Sequence, residues 1–393
     1  MGEFGGNGVQ TAIQAPFSAP SKTIFPSPLN GWDNDQQKKF GSAERDVYMG
    51  TNRDREITVF ILALLGLKGV GARTVIDIIG HHHDSLESSP YLDAEYAEAL
   101  NVGKVTKALQ SSDLSWEELE RDAFEILESA ENAGVLVLNP LSSEYPQRLL
   151  RNDNYPPILY CLGDSAALNP EKSVAMVGTR NPTDFGGRMG RRLAELLASD
   201  DYVIVSGLAL GCDSMAHEGA LDAHGRTVAV LPTPIGAPVY PKQNQGLAER
   251  IIESGGALVS EYPPNMMLTD RQLVTNLVAR DEWQPGLADG LIAFETSVDG
   301  GTRHAMKHAL KTKTPIAVFD YSTRQGVDFW GDERFGGNVA YLKSGEASRI
   351  FEPQTIEDFK IRMEAYRDAD GSEAPIGSDP AGSEGIQISM SFE

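Results

Sequence analysis

The sequence predicts an α/β protein with a Rossmann-like, mostly parallel sheet that carries helices on both faces, preceded by a small helical domain. Three observations support this fold class. Short, continuously apolar runs rich in β-branched residues recur between residues 172 and 320. Longer amphipathic segments separate them, which is typical of parallel strands buried on both faces. Glycine-rich turns follow several of these runs, where the ligands of parallel sheets bind.

The N-terminal part of the chain divides into two regions. Residues 1–52 are rich in Gly, Pro, Ser and Asn without periodicity, which predicts a disordered or loosely attached segment. Residues 53–134 are predicted to form the helical domain, with helices over 57–65, 72–79 and 116–133. The glycine-rich turn at 66–71 is typical of a helix-hairpin-helix that approaches phosphate, although a plain helical hairpin that caps the main domain is the simpler interpretation.

Three consecutive histidines, 81–83, follow the second helix. We interpret them as a solvated loop, because no nearby Cys or carboxylate pattern completes a metal site. His304 and His308 share one face of a later helix, but no third ligand accompanies them. No metal and no cofactor is therefore expected.

The main domain is predicted to span residues 135–325. It would begin with a strand at 135–138 and an extended linker through two Tyr-Pro segments. Six strands then follow at 173–177, 202–205, 227–231, 257–260, 290–294 and 314–319. Helices after the first, second and fifth of these would end near 198, 223 and 313. A C-terminal extension (326–367) with one helix at 355–366 and a disordered acidic tail (368–393) complete the predicted chain.

Charge and cysteine content restrict the function. The net charge of −22 disfavours nucleic-acid binding, which needs a basic surface. However, residues 172–320 contain 14 Lys and Arg against 17 Asp and Glu, so this stretch is only at −3 and is compatible with a local basic cleft. The two cysteines argue against a disulfide framework and fit a reducing cytoplasm, and the absence of a long apolar run argues against a membrane span.

Three glycine turns are the candidate phosphate-binding elements. Backbone N–H groups at a helix N-terminus bind anions, and an arginine adds charge-assisted hydrogen bonds. The first turn is Gly178-Thr179-Arg180, the second contains Ser206, Gly207, Gly211 and Asp213, and the third contains Gly300, Gly301 and Thr302. Asp213 is also a candidate helix cap.

A long, ordered set of motifs resembles the DprA/Smf family (DNA-processing protein A). The matching stretches are Tyr145-Pro-x-x-Leu149, Val174-x-x-Val-Gly-Thr-Arg180, Ser206-Gly-Leu-Ala-x-Gly-x-Asp213, Tyr240-Pro-x-x-Asn244 and Gly256-Ala-Leu-x-Ser-Glu-Tyr-Pro263. The resemblance implies a SAM-like helical first domain and a Rossmann-like domain that binds single-stranded DNA, forms a homodimer and delivers the DNA to a RecA-type recombinase. It implies no catalytic step, and it adds Lys242, Asn244 and Arg280 to the DNA-contacting positions.

Two departures from that family's pattern keep a second hypothesis open. The family's Arg-Asn-Arg run is Arg280-Asp281-Glu282 here, which places acids beside the expected phosphate path. The turn at 299–302 resembles instead the phosphate turn of the related LOG family, which implies a small-nucleotide sensor or a nucleotide N-glycosidase-type hydrolase. That family's helix carries a glutamate after the turn, whereas residues 303–309 contain no acid, so Asp213, Glu261 or Glu295 would have to serve the chemistry.

Overall fold

The computed structural model describes residues 52–100 and 102–370, and within them a single nine-stranded sheet forms the centre of the molecule. Its strands are β1 (Leu136–Leu138), β2 (Leu159–Gly163), β3 (Lys172–Val177), β4 (Tyr202–Ser206), β5 (Thr227–Val230), β6 (Ala257–Ser260), β7 (Leu291–Ala293), β8 (Ile316–Phe319) and β9 (Ser348–Ile350). The spatial order is β1-β2-β6-β5-β4-β3-β7-β8-β9. The β1–β2 and β2–β6 pairs are antiparallel, and every other pair is parallel. The predicted Rossmann-like class is confirmed.

Twelve α-helices accompany the described strands. Five precede the sheet: α1 (Asn52–Gly66), α2 (Ala72–Ser88), α3 (Ala94–Ala99), α4 (Gly103–Ser111) and α5 (Trp116–Asn132). The other seven are α6 (Asp184–Ser199), α7 (Cys212–Asp222), α8 (Gln245–Glu253), α9 (Asp270–Gly286), α10 (Arg303–Lys311), α11 (Gly336–Ser344) and α12 (Pro353–Asp370).

The sheet is buried on both faces because each apolar strand sends alternate side chains to opposite cores. Val174 and Met176 of β3 belong to the apolar cluster of α6 and α7. Ala175 and Val177 belong to the cluster that α9 and α10 cover. Period-2 side-chain alternation explains why these strands are continuously apolar in sequence.

The order of the strands sets the position of the functional cleft. From β3 the chain proceeds through β4, β5 and β6 on one side and then returns to add β7, β8 and β9 on the other. The connections after β3 and β7 therefore leave the sheet in opposite directions. Ligands of doubly wound sheets bind in the crevice that opens at such a point, beyond the carboxyl ends of the strands.

The N-terminal helices share an apolar core with one side of the sheet. Phe60 of α1 packs on Trp116 of α5, with ring centroids 5.6 Å apart. The same buried cluster includes Leu127 of α5, Tyr160 of β2 and Leu258 of β6. The helices therefore cover sheet surface as well as one another.

Several sequence-based predictions need correction. The histidines at 81–83 are not in a loop: they lie in α2, where the backbone of His82 departs from helical angles (φ −124°, ψ 20°). The sheet does not end at 325, because β9 pairs with β8, and α12 continues through 368–370, which were assigned to the tail. Part of the predicted linker is strand β2. The predictions for residues 1–51 and 371–393 lie outside the described residues. Among the described helices, none is long and apolar enough to cross a membrane.

Candidate functional site

A cleft of about 350 Å³ lies at the carboxyl ends of β3 and β7. It brings together eight of the predicted positions: Gly178, Thr179, Arg180, Asp213, Arg280, Gly300, Gly301 and Thr302. The remaining lining residues are Val177, Ala209, Asp281, Gln284, Thr296, Ser297 and Ala305. The first and third glycine turns, which are more than a hundred residues apart in sequence, thus form two walls of one site.

The first and second turns interlock through main-chain contacts. The N–H of Cys212 donates to the carbonyl of Thr179 at 3.1 Å, at the start of α7. Gly211 has φ +79°, and a Cβ there would lie only 2.4 Å from the carbonyl oxygen of Arg180. Only glycine allows both the left-handed backbone and this close approach. The local sequence therefore fixes where the Arg180 backbone sits relative to α7.

Two exposed groups face the solvent side of the cleft. The side chain of Arg180 is exposed, and Gly301, at the turn that leads into α10, is also exposed. A Cβ added at Gly301 would meet no atom within 4 Å, so space is open in front of this peptide. An exposed guanidinium beside a helix N-terminus is the arrangement that binds an anionic oxygen.

Arg280 lies at the floor of the cleft and is 5% exposed. Its Nη1 donates to the carbonyl of Gly207 and, at 3.2 Å, to the carbonyl of Val230. Its Nη1 also lies 3.9 Å from Oδ2 of Asp213. The guanidinium is thus engaged in holding the second glycine turn, and its positive charge acts on the cleft from below.

Asp213 and Asp281 make the floor partly acidic. Burial raises the pKa of Asp213, whose Oδ2 accepts from the N–H of Ala209 at 3.3 Å and so supports the loop before α7. The N-cap of α7 is Gly211, so Asp213 is not the cap. Burial also raises the pKa of Asp281 to about 7, against the opposing effect of Arg280.

Gln284 is a further cleft residue, outside the set of positions predicted from the sequence. Its Nε2 donates to Oδ1 of Asp281 at 3.1 Å, while its own Oε1 is buried without a hydrogen-bond partner. A spacing of four residues from Arg280 on α9 is the sequence signal for a shared helix face.

The two acids that depart from the family's pattern face different surroundings. Asp281 lines the cleft. Glu282 does not line it, and its Oε2 lies 3.6 Å from Nδ1 of His308 on α10. Only the first acid is therefore beside the expected phosphate path.

Five predicted positions lie outside the cleft lining: Gly211, described above, and Ser206, Gly207, Lys242 and Asn244. Ser206 Oγ donates to the carbonyl of Met176 at 2.6 Å, and Gly207 accepts from Arg280, so both hold the floor in place. Asn244 is buried and donates to the carbonyl of Leu208 at 2.8 Å. Lys242, two residues earlier, is exposed at the start of a short 3-10 helix.

The carboxylates considered for hydrolysis do not converge. Asp213 lines the cleft, but Glu295 is fully buried and accepts from the N–H and hydroxyl of Thr183 at 2.8 and 2.5 Å, where α6 begins. Glu261 accepts instead from the indole N–H of Trp283. No group of His, Cys, Asp and Glu within the described ranges has the arrangement of a metal site.

Comparisons with known proteins give a consistent result. The family model described as "DNA recombination-mediator protein A" matches residues 137–359. Protein Smf of Synechocystis is 35% identical over 191 residues, which are 47% of this chain and 46% of that protein. The DNA processing protein DprA of Bacillus subtilis is 29% identical over 200 residues, or 50% of this chain and 65% of that protein. The chain thus spans less than two thirds of either relative.

A solved structure shows the same fold. The X-ray structure of DNA processing protein A from Streptococcus pneumoniae superimposes with a TM-score of 0.57 at 20% identity. The alignment covers 79% of this chain and 98% of that one. The helical part and the sheet described above therefore recur together in another protein.

Proposed function

The chain belongs to the DNA recombination-mediator protein A family. We propose that it binds single-stranded DNA through the cleft at the carboxyl ends of β3 and β7. The names of its relatives, DNA processing protein among them, support a role in handling DNA. The observation that carries the proposal is the exposed Arg180 on a turn that Gly211 locks against the N-terminus of α7.

The geometry supports binding by the phosphate backbone. The Gly300-Gly301 turn lines the cleft beside the N-terminus of α10, whose dipole favours an anion, and Arg180 adds an exposed cation. Lys242 is exposed two residues before Asn244, which donates to the carbonyl of Leu208 in the second turn, so Lys242 offers another cation near that turn. Such contacts position a strand without reading its sequence.

The wider role that we propose is non-catalytic. The protein would hold single strands in DNA processing or recombination, or in defence against foreign DNA, and pass them to a RecA-type recombinase as a homodimer in the cytoplasm. Only one of the three candidate carboxylates, Asp213, lines the cleft, while Glu261 and Glu295 accept hydrogen bonds elsewhere. This separation supports a binding function over hydrolysis.

The first test is fluorescence-anisotropy titration of labelled oligo-dT at several salt concentrations, with duplex DNA as a competitor. Displacement of counterions from single strands gives a logarithmic slope of roughly −0.7 per phosphate contact. We expect tight, salt-sensitive binding with preference for the single strand. Absence of binding at low salt would overturn the proposal.

Substitutions of Arg180 and Lys242 test whether the DNA binds at the cleft. We expect Arg180→Ala to weaken oligo-dT binding about tenfold, because a hydrogen bond to a charged group contributes roughly 1.5–3 kcal/mol. Lys242→Ala should weaken it less and reduce the salt slope by about 0.7. Arg226→Ala is the matched control, since this exposed arginine directly precedes β5, at the amino ends of the parallel strands, whereas the cleft lies at their carboxyl ends. Unchanged affinity in both test variants would place the DNA elsewhere.

A small nucleotide is the second candidate ligand. The cleft volume of about 350 Å³ falls within the roughly 300–1,000 Å³ of small-molecule sites. Thermal stabilisation by a mononucleotide without oligonucleotide binding would favour this function. A mononucleotide that competes only weakly with oligo-dT would favour DNA.

A further inference from the structure

The floor of the cleft contains hydrogen-bond acceptors that a phosphate-binding site does not need. Asp281 lines the cleft with its side chain 16% exposed. Gln284 lines it as well, and its Oε1 is buried without a donor. Carboxylate and amide oxygens repel a phosphate but accept from N–H groups.

The cations of the cleft have a different distribution. Arg180 is exposed, whereas Arg280 is buried beneath the turns and donates to main-chain carbonyls. The site is therefore divided into a rim that suits phosphates and a floor that suits hydrogen-bond donors. A nucleotide has both kinds of group, at its two ends.

We propose that a nucleobase with an exocyclic amino group occupies the floor, where Asp281 and Gln284 accept its N–H groups, while its phosphate lies at Arg180 and the Gly300-Gly301 turn. The proposal rests on the proposed function and adds base selectivity to it. Aspartate accepts from the amino group of cytosine in known nucleic-acid complexes. Uracil carries a carbonyl oxygen at the same ring position, and this acceptor would face the two acceptors of the floor.

Gln284 also explains how Asp281 is positioned. Its Nε2 donates to Oδ1 of Asp281 at 3.1 Å, which leaves the second carboxylate oxygen available to a ligand. The 3.5 Å separation between Arg280 Nε and the same Oδ1 keeps a positive charge beside the carboxylate. The carboxylate is thus fixed by two neighbours on its own helix.

The test compares oligo-dC with oligo-dU, two pyrimidine strands of equal length and charge. Their bases differ at position 4, which is an amino group in cytosine and a carbonyl in uracil, and at N3, which is an acceptor in cytosine and an N–H donor in uracil. The full chain is titrated with each labelled strand by fluorescence anisotropy at pH 8, above the pKa of about 7 to which burial raises Asp281. We expect oligo-dC to bind at least fivefold more tightly, since one well-placed base contact discriminates by roughly 1–3 kcal/mol.

Two matched variants locate the selectivity. Asp281→Asn introduces an amide that both donates and accepts, so the preference for oligo-dC should fall below about twofold while oligo-dU binds more tightly. Glu282→Gln removes the neighbouring charge, which faces His308 outside the cleft, and should retain the preference. A preference that persists in Asp281→Asn would overturn the inference.

The outcomes separate this inference from the proposed function. Equal binding of both strands by the unaltered protein, weakened by Arg180→Ala, overturns base reading and leaves the DNA proposal in place. Binding of neither strand overturns both. If dCMP competes better than dUMP, the floor recognises the same amino group in a free nucleotide. If only the oligonucleotides show the preference for cytosine, the floor recognises the base within a DNA strand.

Discussion

At the scale of single residues, the cleft shows how neighbours give side chains of the same charge different roles. Asp281 and Glu282 are adjacent acids, yet one faces the cleft and the other faces His308. Arg180 and Arg280 were both predicted to contact phosphate, but Arg280 is buried under the turn that it supports. The first glycine turn and the family resemblance identified these residues, whereas burial and orientation depend on tertiary contacts that a sequence pattern does not contain.

The raised pKa of Asp281 has a consequence for stability. Its environment includes Arg280, Asp213, Arg180 and Gln284, and burial is the largest cause of the shift to about 7. The folded state therefore binds this proton more tightly than the unfolded state does. The contribution to stability is fully present below about pH 4 and is lost as pH rises through about 7.

We accordingly expect Asp281→Asn to raise the free energy of unfolding at pH 8, by on the order of 2 kcal/mol, and to change it little at pH 4. Urea denaturation at the two pH values measures the difference. Asp299→Asn, at a carboxylate whose side chain is 97% exposed, is the control and should be neutral at both. A gain of the same size at pH 4 and pH 8 would contradict the explanation.

At the scale of elements, the apolar strands were the most predictable part of the chain. The strand at 257–260 coincides with β6, and those beginning near 173, 202, 227, 290 and 314 overlap β3, β4, β5, β7 and β8. Continuous apolar sequence predicts such strands because both of their faces are buried. The short β9 and the helices α3, α4, α8, α9 and α11 were not predicted, since a three-residue strand and short or mixed-polarity helices show little periodicity.

The start of α6 is an element end that depends on a distant carboxylate. Thr183 caps the helix by accepting from the N–H of Gly186 at 3.0 Å, and its hydroxyl donates to the fully buried Glu295. The β3–α6 turn and the end of β7 are thereby joined behind the cleft. This interaction was not evident from the sequence, because it joins residues 112 positions apart.

We expect Thr183→Ala to lower the free energy of unfolding by about 2–4 kcal/mol, because it removes a helix cap and a donor to a buried carboxylate. Ser115→Ala at α5 is the matched control. Ser115 also accepts from a backbone N–H, but its contact with Glu118 is exposed, so its loss should cost only about 1 kcal/mol. Chemical denaturation of both variants measures the comparison, and equal losses would show that Glu295 does not depend on Thr183.

At the scale of the whole molecule, the helical region and the sheet form one packed body. The helical region and the main domain were predicted as separate units with a boundary at residues 134 and 135. The buried cluster of α1 and α5 nevertheless includes Val135, Ile158 and Tyr160. The predicted boundary between residues 134 and 135 therefore does not divide the apolar core, which contains residues from both sides of it.

We expect a chain that begins at Val135 to be poorly soluble or aggregated, because the apolar surface next to Tyr160 would lose its cover. A chain that begins at Asn52 retains this cover and is the control. Size-exclusion chromatography and binding of a hydrophobic dye compare the two. A monodisperse, folded product from the shorter chain would show that the helices are dispensable for the core.

The interlocked turns around Gly211 also bear on how this protein can change over generations. Peptide N–H groups are present whichever side chain a codon specifies, so substitutions at the rim other than at Arg180 and Gly211 leave its main-chain groups in place. The floor has no such protection, because Asp281 and Gln284 act through their side chains. Mutation at the floor can therefore alter which base is preferred while phosphate binding at the rim persists. Base preference and phosphate affinity can thus evolve independently.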